Sequence, residues 1–185
     1  MSTSVGSMGD HIPESAAAVV ELLNSRPHAT PVLPDTLADL ESARPVIERF
    51  GDVRYEAASA RTLARIRELR ADLLDTVIAE DTDAAWTRFT EQVASVRFRQ
   101  VFAGPDTVTL EQESGSSIIG GIVLAVRELV ASNTWGRIRV CANEECAHAF
   151  YDTTRSRTQR WHSYEVCGNR SNVAAYRARK GAPKP

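Results

Sequence analysis

Cys141-Ala142-Asn143-Glu144-Glu145-Cys146 and His162-Ser163-Tyr164-Glu165-Val166-Cys167 carry all three cysteines of the chain, in the order Cys-x4-Cys-x15-His-x4-Cys. Thiolates and imidazole bind Zn²⁺ tightly, and a Cys₃His set completes the closed tetrahedron of a structural site. Two short-spaced pairs separated by a loop are what a small zinc-stapled module needs. The spacing therefore predicts one structural Zn²⁺ held by Cys141, Cys146, His162 and Cys167. His148 is the competing fourth donor, two residues after Cys146, but His162 restores two separated pairs. The bland alternative is three buried apolar thiols, a common state of free cysteine.

Charge sets this segment apart. Residues 137–185 hold ten Arg or Lys against four acids, a balance of +6. The whole chain has 22 basic and 24 acidic residues, which leaves residues 1–136 at −8. A near-neutral total thus conceals two halves of opposite sign, an asymmetry that favours a nucleic-acid-binding C-terminal part.

The run Cys141-Ala-Asn-Glu-Glu-Cys146-Ala-His-Ala-Phe150-Tyr151-Asp152-Thr-Thr-Arg155, followed by Arg160-Trp161-His162-Ser163 and Cys167-Gly168-Asn169-Arg170, resembles the CGNR zinc-finger family. The resemblance implies a small treble-clef-like finger that binds DNA. It also implies a preceding helical ABATE domain, the pair being regarded as stress-responsive transcription regulators. The N-terminal likeness rests on Val20-Glu-Leu-Leu-Asn24-Ser25-Arg26-Pro27 and on the order of helices. The family usually has cysteine where this chain has His162. Imidazole also ligates zinc, so the site is expected to survive with one negative charge fewer.

The remaining composition bounds the architecture. With 185 residues and 43% hydrophobic content, the chain has room for one substantial core and a small module. No run reaches the eighteen or more apolar residues of a membrane span. The N-terminus lacks the basic and apolar regions of a signal peptide. Three cysteines at metal spacing point to the reducing cytoplasm rather than to a disulfide framework. The expected organisation is mainly α: a tail over 1–14, a helical ABATE-like domain with a small β-hairpin over 15–136, a finger over 137–180 and a tail over 181–185.

Along the chain, residues 15–25 read as a helix capped by Ser15, and shorter pieces follow Asp35 and Pro45. Leu63, Ile66, Leu69, Leu73, Leu74, Val77 and Ile78 mark a long amphipathic helix over about 55–80. Asp83 is expected to cap another through Val96. Apolar residues flanking Gly104-Pro105-Asp106 suggest a hairpin. The apolar run from Ser116 to about Asn133 is expected to be the central helix. Ile138 and Val140 lead into the finger as a strand, and a helix is expected over about 164–180.

Candidate nucleic-acid contacts are Arg155, Arg157, Arg160, Asn169, Arg170, Arg177, Arg179 and Lys180. The arginines and lysine would meet phosphates, with a solvated charged face as their alternative. Arg170 and Asn169 suit base edges, or else hydrogen-bond the thiolates and nearby carbonyls as support for the metal. Gly168 permits close backbone approach to the metal loop. Trp161 and Phe150 are expected to pack over the zinc. Enzymatic signatures are missing: no Gly-x-Ser-x-Gly, no His-Glu-x-x-His, and no P-loop lysine after Gly115-Ser-Ser-Ile-Ile-Gly120-Gly121. The leading expectation is a zinc-dependent regulator of transcription binding double-stranded DNA, not an enzyme. Its helical domain would form a homodimer or sense a small-molecule effector, the latter on the resemblance alone. The alternative is a zinc-stapled protein-interaction or RNA-binding module. Zinc loss is expected to unfold the part beyond about residue 137 and spare the helical part.

Overall fold

The chain folds around α5, Ser117–Ala131, the apolar helix anticipated near residue 116. The architecture is that of a computed structural model, which describes residues 11–51, 59–170 and 172–173. Ser116 starts α5 by accepting a hydrogen bond from the Ile119 amide (3.3 Å), and Ile118, Ile119, Ile122, Val126 and Leu129 are buried along it. Among the described residues, four further helices precede it: α1 Glu14–Asn24, α2 Leu40–Ile47, α3 Ala60–Ile78 and α4 Thr82–Val93. Helix takes up about half of the described chain. The core joins Ala16, Val19, Leu22 and Leu23 of α1 with Leu63, Ile66, Leu69 and Leu73 of α3 and the buried face of α5.

The caps correct several expected boundaries. Ser15 is buried and makes no cap, because α1 begins one residue earlier behind Pro13. Asp39 caps α2 at the Ser42 amide (2.9 Å), giving a single short helix that contains Pro45. Ser59 caps α3 and Asp81, rather than Asp83, caps α4. Each such side chain satisfies amides that the first turn leaves unpaired, a contribution of about 1 kcal/mol. The glycines of α5 serve packing: a Cβ on Gly121 would overlap the Phe50 carbonyl, so the backbone crosses there only over glycine.

Strands β1 (Arg97–Gly104) and β2 (Thr107–Ser114) form the expected antiparallel hairpin. Arg99 lies opposite Glu111, and the two side chains pair at 2.6 Å. A second, shorter hairpin pairs β3 (Ile138–Val140) with β4 (Ala149–Tyr151). Its residues alternate between two environments, as the twofold period of a strand dictates. Ala149 is buried in the core of the helical part, together with Ile138 from β3. Phe150 instead joins Cys141, Cys167, Cys146 and Trp161 in a separate small cluster. The packing therefore runs continuously across residue 137, with Ile138 and Ala149 in the same core as the helices.

An ion pair between buried Arg70 and half-buried Asp35 anchors the turn after α1. Arg70 of α3 donates to both carboxylate oxygens of Asp35 (2.8 Å each) and to the Ser25 hydroxyl (2.8 Å). The Arg70 guanidinium holds the Asp35 carboxyl below the usual aspartate range. Among the described residues, no helix is long and apolar enough to cross a membrane.

Candidate metal centre

Cys141 follows β3 directly, and its amide donates to the His148 carbonyl (2.8 Å), closing the loop that carries Cys146. Asn143 builds the turn inside that loop: its carbonyl accepts from the amides of Cys146 (2.9 Å) and Ala147 (3.0 Å). Its side-chain oxygen takes the Glu145 amide (3.2 Å). The second ligand pair comes from the far side of the loop. Ser163 accepts from the Val166 amide (3.3 Å) and opens a single π-helical turn, Tyr164–Gly168, that presents Cys167. His162 sits just before it. Helical residues continue through Arg170 and at Asn172 and Val173, while the rest of the expected helix lies outside the described residues.

The donor atoms of Cys141, Cys146, His162 and Cys167 all lie within 4.8 Å of one another. His162 Nδ1 is 3.3 Å from the Cys146 sulfur and 3.7 Å from the Cys167 sulfur. A zinc tetrahedron with bonds of about 2.0–2.3 Å has edges of roughly 3.5 Å, which these two separations match. Burial, followed by the neighbouring cysteines, pushes the Cys146 thiol up to about 11. Three crowded thiols release protons when a divalent cation neutralises them, which is the chemistry a structural zinc site requires. The group could hold one metal ion, and its four protein donors leave a tetrahedral ion no open position.

His148 lies outside this four-donor group, and its ring nitrogens have other partners. Its Nε2 accepts from the Asn24 amide (3.1 Å), since an amide nitrogen can only donate. His28 Nδ1 donates to the Arg26 carbonyl (2.8 Å), which leaves His28 Nε2 to accept from His148 Nδ1 (3.1 Å). Both nitrogens of the neutral His148 ring are thus engaged. Burial, then the neighbouring His162, His28 and Arg26, hold its pKa down at about 4, so the ring stays neutral at ordinary pH.

Beside the metal centre, the fully buried Asp152 organises the loop 152–160. Its carboxylate accepts from the Thr154 amide (2.8 Å), the Thr154 hydroxyl (2.5 Å) and the Gln159 amide (2.9 Å). Burial would raise this carboxyl, but these bonds and the nearby Arg139 outweigh it and hold the group below its usual range. Arg137 reaches the Asp152 and Thr154 carbonyls (2.8 and 3.0 Å), and Arg139 reaches the Arg157 carbonyl (3.0 Å). Arg137, just before β3, and Arg139, within it, hold the loop. Arg155, Arg157 and Arg160 are the exposed ones that it carries.

The other predicted residues are distributed unevenly. Arg170 is exposed, while the Asn169 amide donates to the Glu165 carbonyl (3.1 Å) on its own turn rather than to a thiolate. Gly168 is buried against the Tyr164 ring, which a Cβ would meet at 2.7 Å. Trp161 and Phe150 pack on the ligand cluster, and the Arg160 guanidinium lies 5.1 Å from the Trp161 ring centre. Arg177, Arg179 and Lys180 lie outside the described residues. Sequence reasoning missed two groups. Asn24, Arg26 and His28 reach the finger from the end of α1, and Asp152 is the buried organiser of the arginine loop. The first group stands inside the Asn24-Ser25-Arg26-Pro27 run, but nothing local assigns it to a metal.

Comparison with curated proteins returns no match. The model of the CGNR zinc finger does match, over residues 137–180. That span contains the complete Cys141, Cys146, His162 and Cys167 set, both finger strands and the arginine loop. Over residues 137–180, then, the chain is similar to the CGNR zinc finger, with a donor set built to hold one zinc ion.

Proposed function

We propose that the protein is a cytoplasmic, zinc-dependent regulator of transcription that binds double-stranded DNA through the C-terminal finger. The observation that carries this reading is the loop 152–160. It is held from inside by Asp152, Arg137 and Arg139, and it exposes Arg155, Arg157 and Arg160 beside the metal centre. Arginines on a preorganised loop lose little conformational freedom on meeting phosphates, and their planar donors match phosphate oxygens. The +6 balance of residues 137–185 supplies the field that draws a polyanion to this end.

Within this reading the finger is treble-clef-like: a ligand-bearing turn inside a short hairpin, then a second ligand pair at the opening of a helix. Zinc is structural, and the chain is not an enzyme. The helical part, which resembles the ABATE domain, serves dimerisation or effector sensing. Arg170 reads a base edge or a phosphate, a role compatible with its exposure.

The test is selection of bound fragments from a random duplex pool, followed by mobility shifts at several salt concentrations. A selected consensus with salt-dependent affinity is expected. Zinc-loaded protein that binds no duplex at low salt would defeat the reading and leave a protein-interaction or RNA-binding module in its place.

A further inference from the structure

The run from Asn24 to His28 leaves α1 and meets the finger at three consecutive residues, Ala147, His148 and Ala149. The Asn24 amide donates to the Ala149 carbonyl (2.9 Å) and accepts from the Ala149 amide (2.7 Å), so it satisfies both hydrogen-bonding groups of that residue. The same NH₂ group supplies a second hydrogen to His148 Nε2. Arg26 links its own helix end to the metal loop, donating to the Leu23 carbonyl (2.6 Å) and the Ala147 carbonyl (2.5 Å). His28 completes the set through His148 Nδ1.

What these residues grip is the return of the ligand loop. Ala147 follows Cys146 directly and has a φ of +50°, a left-handed conformation that costs an L-residue free energy. The bond from Arg26 to its carbonyl helps to hold that conformation, and with it the direction of Cys146. The His148 ring, fixed on both nitrogens, lies tilted against His162, with ring centres 4.8 Å apart. Arg26 donates to the carbonyl of Ala147, the residue that follows Cys146, which puts its charge beside the ligand loop. Three thiolates and an imidazole around Zn²⁺ leave one net negative charge, and a half-buried guanidinium is the partner that such a charge favours.

We propose that Asn24, Arg26 and His28 form the outer layer of the zinc centre and latch the finger to the helical part, making metal loading and finger docking a single coupled equilibrium. They are positioning residues: none donates to the metal, and each acts through Ala147, His148 or Ala149. Coupling of this kind is reciprocal, so the factor by which the latch tightens zinc is the factor by which zinc tightens the latch. The proposal rests on zinc being the occupant of the four-donor set.

The experiment uses the full chain and four variants: Arg26→Gln, Arg26→Lys, Asn24→Ala and, as a control remote from the latch, Phe89→Leu in the buried face of α4. Zinc affinity is read by chelator competition, and the ligand field by the absorption spectrum of the Co²⁺-loaded protein. Arg26→Gln and Asn24→Ala are expected to weaken zinc by roughly tenfold to a hundredfold and to shift the Co²⁺ spectrum. Arg26→Lys keeps the charge and one donor and recovers part of the affinity. Phe89→Leu lowers the melting temperature but leaves affinity and spectrum unchanged. Removing zinc from the wild type should lower the melting temperature of the helical part more than removing it from Asn24→Ala. Wild-type affinity and spectrum in both Arg26→Gln and Asn24→Ala would overturn the proposal, as would an equal loss in Phe89→Leu. A wild type that takes up no zinc overturns the zinc reading, and this inference with it.

Discussion

Asn24 and Ala149, 125 positions apart in sequence, exchange two hydrogen bonds: the Ala149 amide donates to the Asn24 side-chain oxygen at 2.7 Å, and the Asn24 NH₂ donates to the Ala149 carbonyl at 2.9 Å. A side-chain amide has the same donor and acceptor arrangement as a peptide group, so Asn24 extends the β3–β4 hairpin by one strand-like contact. The finger is docked through this contact, and through Ile138 and Ala149 in the shared core.

The first consequence concerns metal loss. Full-length protein purified without chelator is expected to carry one zinc per chain by elemental analysis, and Cys167→Ala to carry none. Because the finger strands pack into the helical core, Cys167→Ala should also lower the melting temperature of the helical part, seen as an earlier loss of far-ultraviolet ellipticity. Unchanged helical melting in a zinc-free variant would show that the shared packing transmits nothing.

The ligand assignment separates two histidines. His148→Ala should retain one zinc per chain, because both nitrogens of His148 are engaged away from the metal. His162→Ala should lose it, whereas His162→Cys keeps a competent fourth donor. Zinc lost from His148→Ala and retained in His162→Ala would reverse the assignment.

For the arginines, two classes should behave differently. Arg155→Ala and Arg157→Ala each remove an exposed cation, so each should weaken all duplexes about equally and reduce the log–log salt slope by about one unit. Arg137→Ala removes a group that holds the loop through the Asp152 and Thr154 carbonyls. It should lower stability by about 1 kcal/mol in urea unfolding, chiefly through the partly buried Asp152 carbonyl left without this donor. Equal salt slopes in wild type, Arg155→Ala and Arg157→Ala would remove these residues from the interface.

Acid sensitivity follows from Asp35. Its carboxyl is held below the usual range by Arg70, so the folded state binds that proton less tightly than the unfolded chain. The stabilisation is fully present above the unfolded value of about 3.9 and is lost as pH falls through the lower folded value. Asp35→Asn should flatten this acid limb in melting measured between about pH 5 and pH 2. It should also lower stability at neutral pH, because the buried Arg70 guanidinium loses its counter-charge. An acid limb identical to that of wild type would assign the sensitivity to other carboxylates.

Gly121→Ala tests the crossing of α5 by the Phe50 backbone. A methyl there meets the main-chain carbonyl rather than a movable side chain, so separation of the two segments is required. The expected loss is about 1–3 kcal/mol in denaturant unfolding, despite the higher helix propensity of alanine. A neutral or stabilised variant would show that the contact relaxes freely.

The sequence by itself determined the donor set and most of the helices, and the physics explains why. Zinc accepts few residue types and short spacings, so Cys141, Cys146, His162 and Cys167 announce themselves without coordinates. Helices that bury one face repeat their apolar residues every three or four positions, so Leu63 to Ile78 and Ile118 to Val130 were equally legible. Caps were less so, because several neighbouring Ser and Asp residues compete for each start: Asp81 rather than Asp83, and nothing at Ser15. Strand β3 alternates Ile138, Arg139 and Val140, whereas Ala149, Phe150 and Tyr151 of the equally short β4 show no apolar–polar alternation to mark it. Only the tertiary structure engages both His148 nitrogens outside the four-donor group, ties Arg137 and Arg139 to the loop, and brings Asn24, Arg26 and His28 beside that group. Polar groups meeting across more than a hundred residues have no period in sequence. Their meeting is set by the packing of α1 against α5 and β4, which only the folded chain specifies.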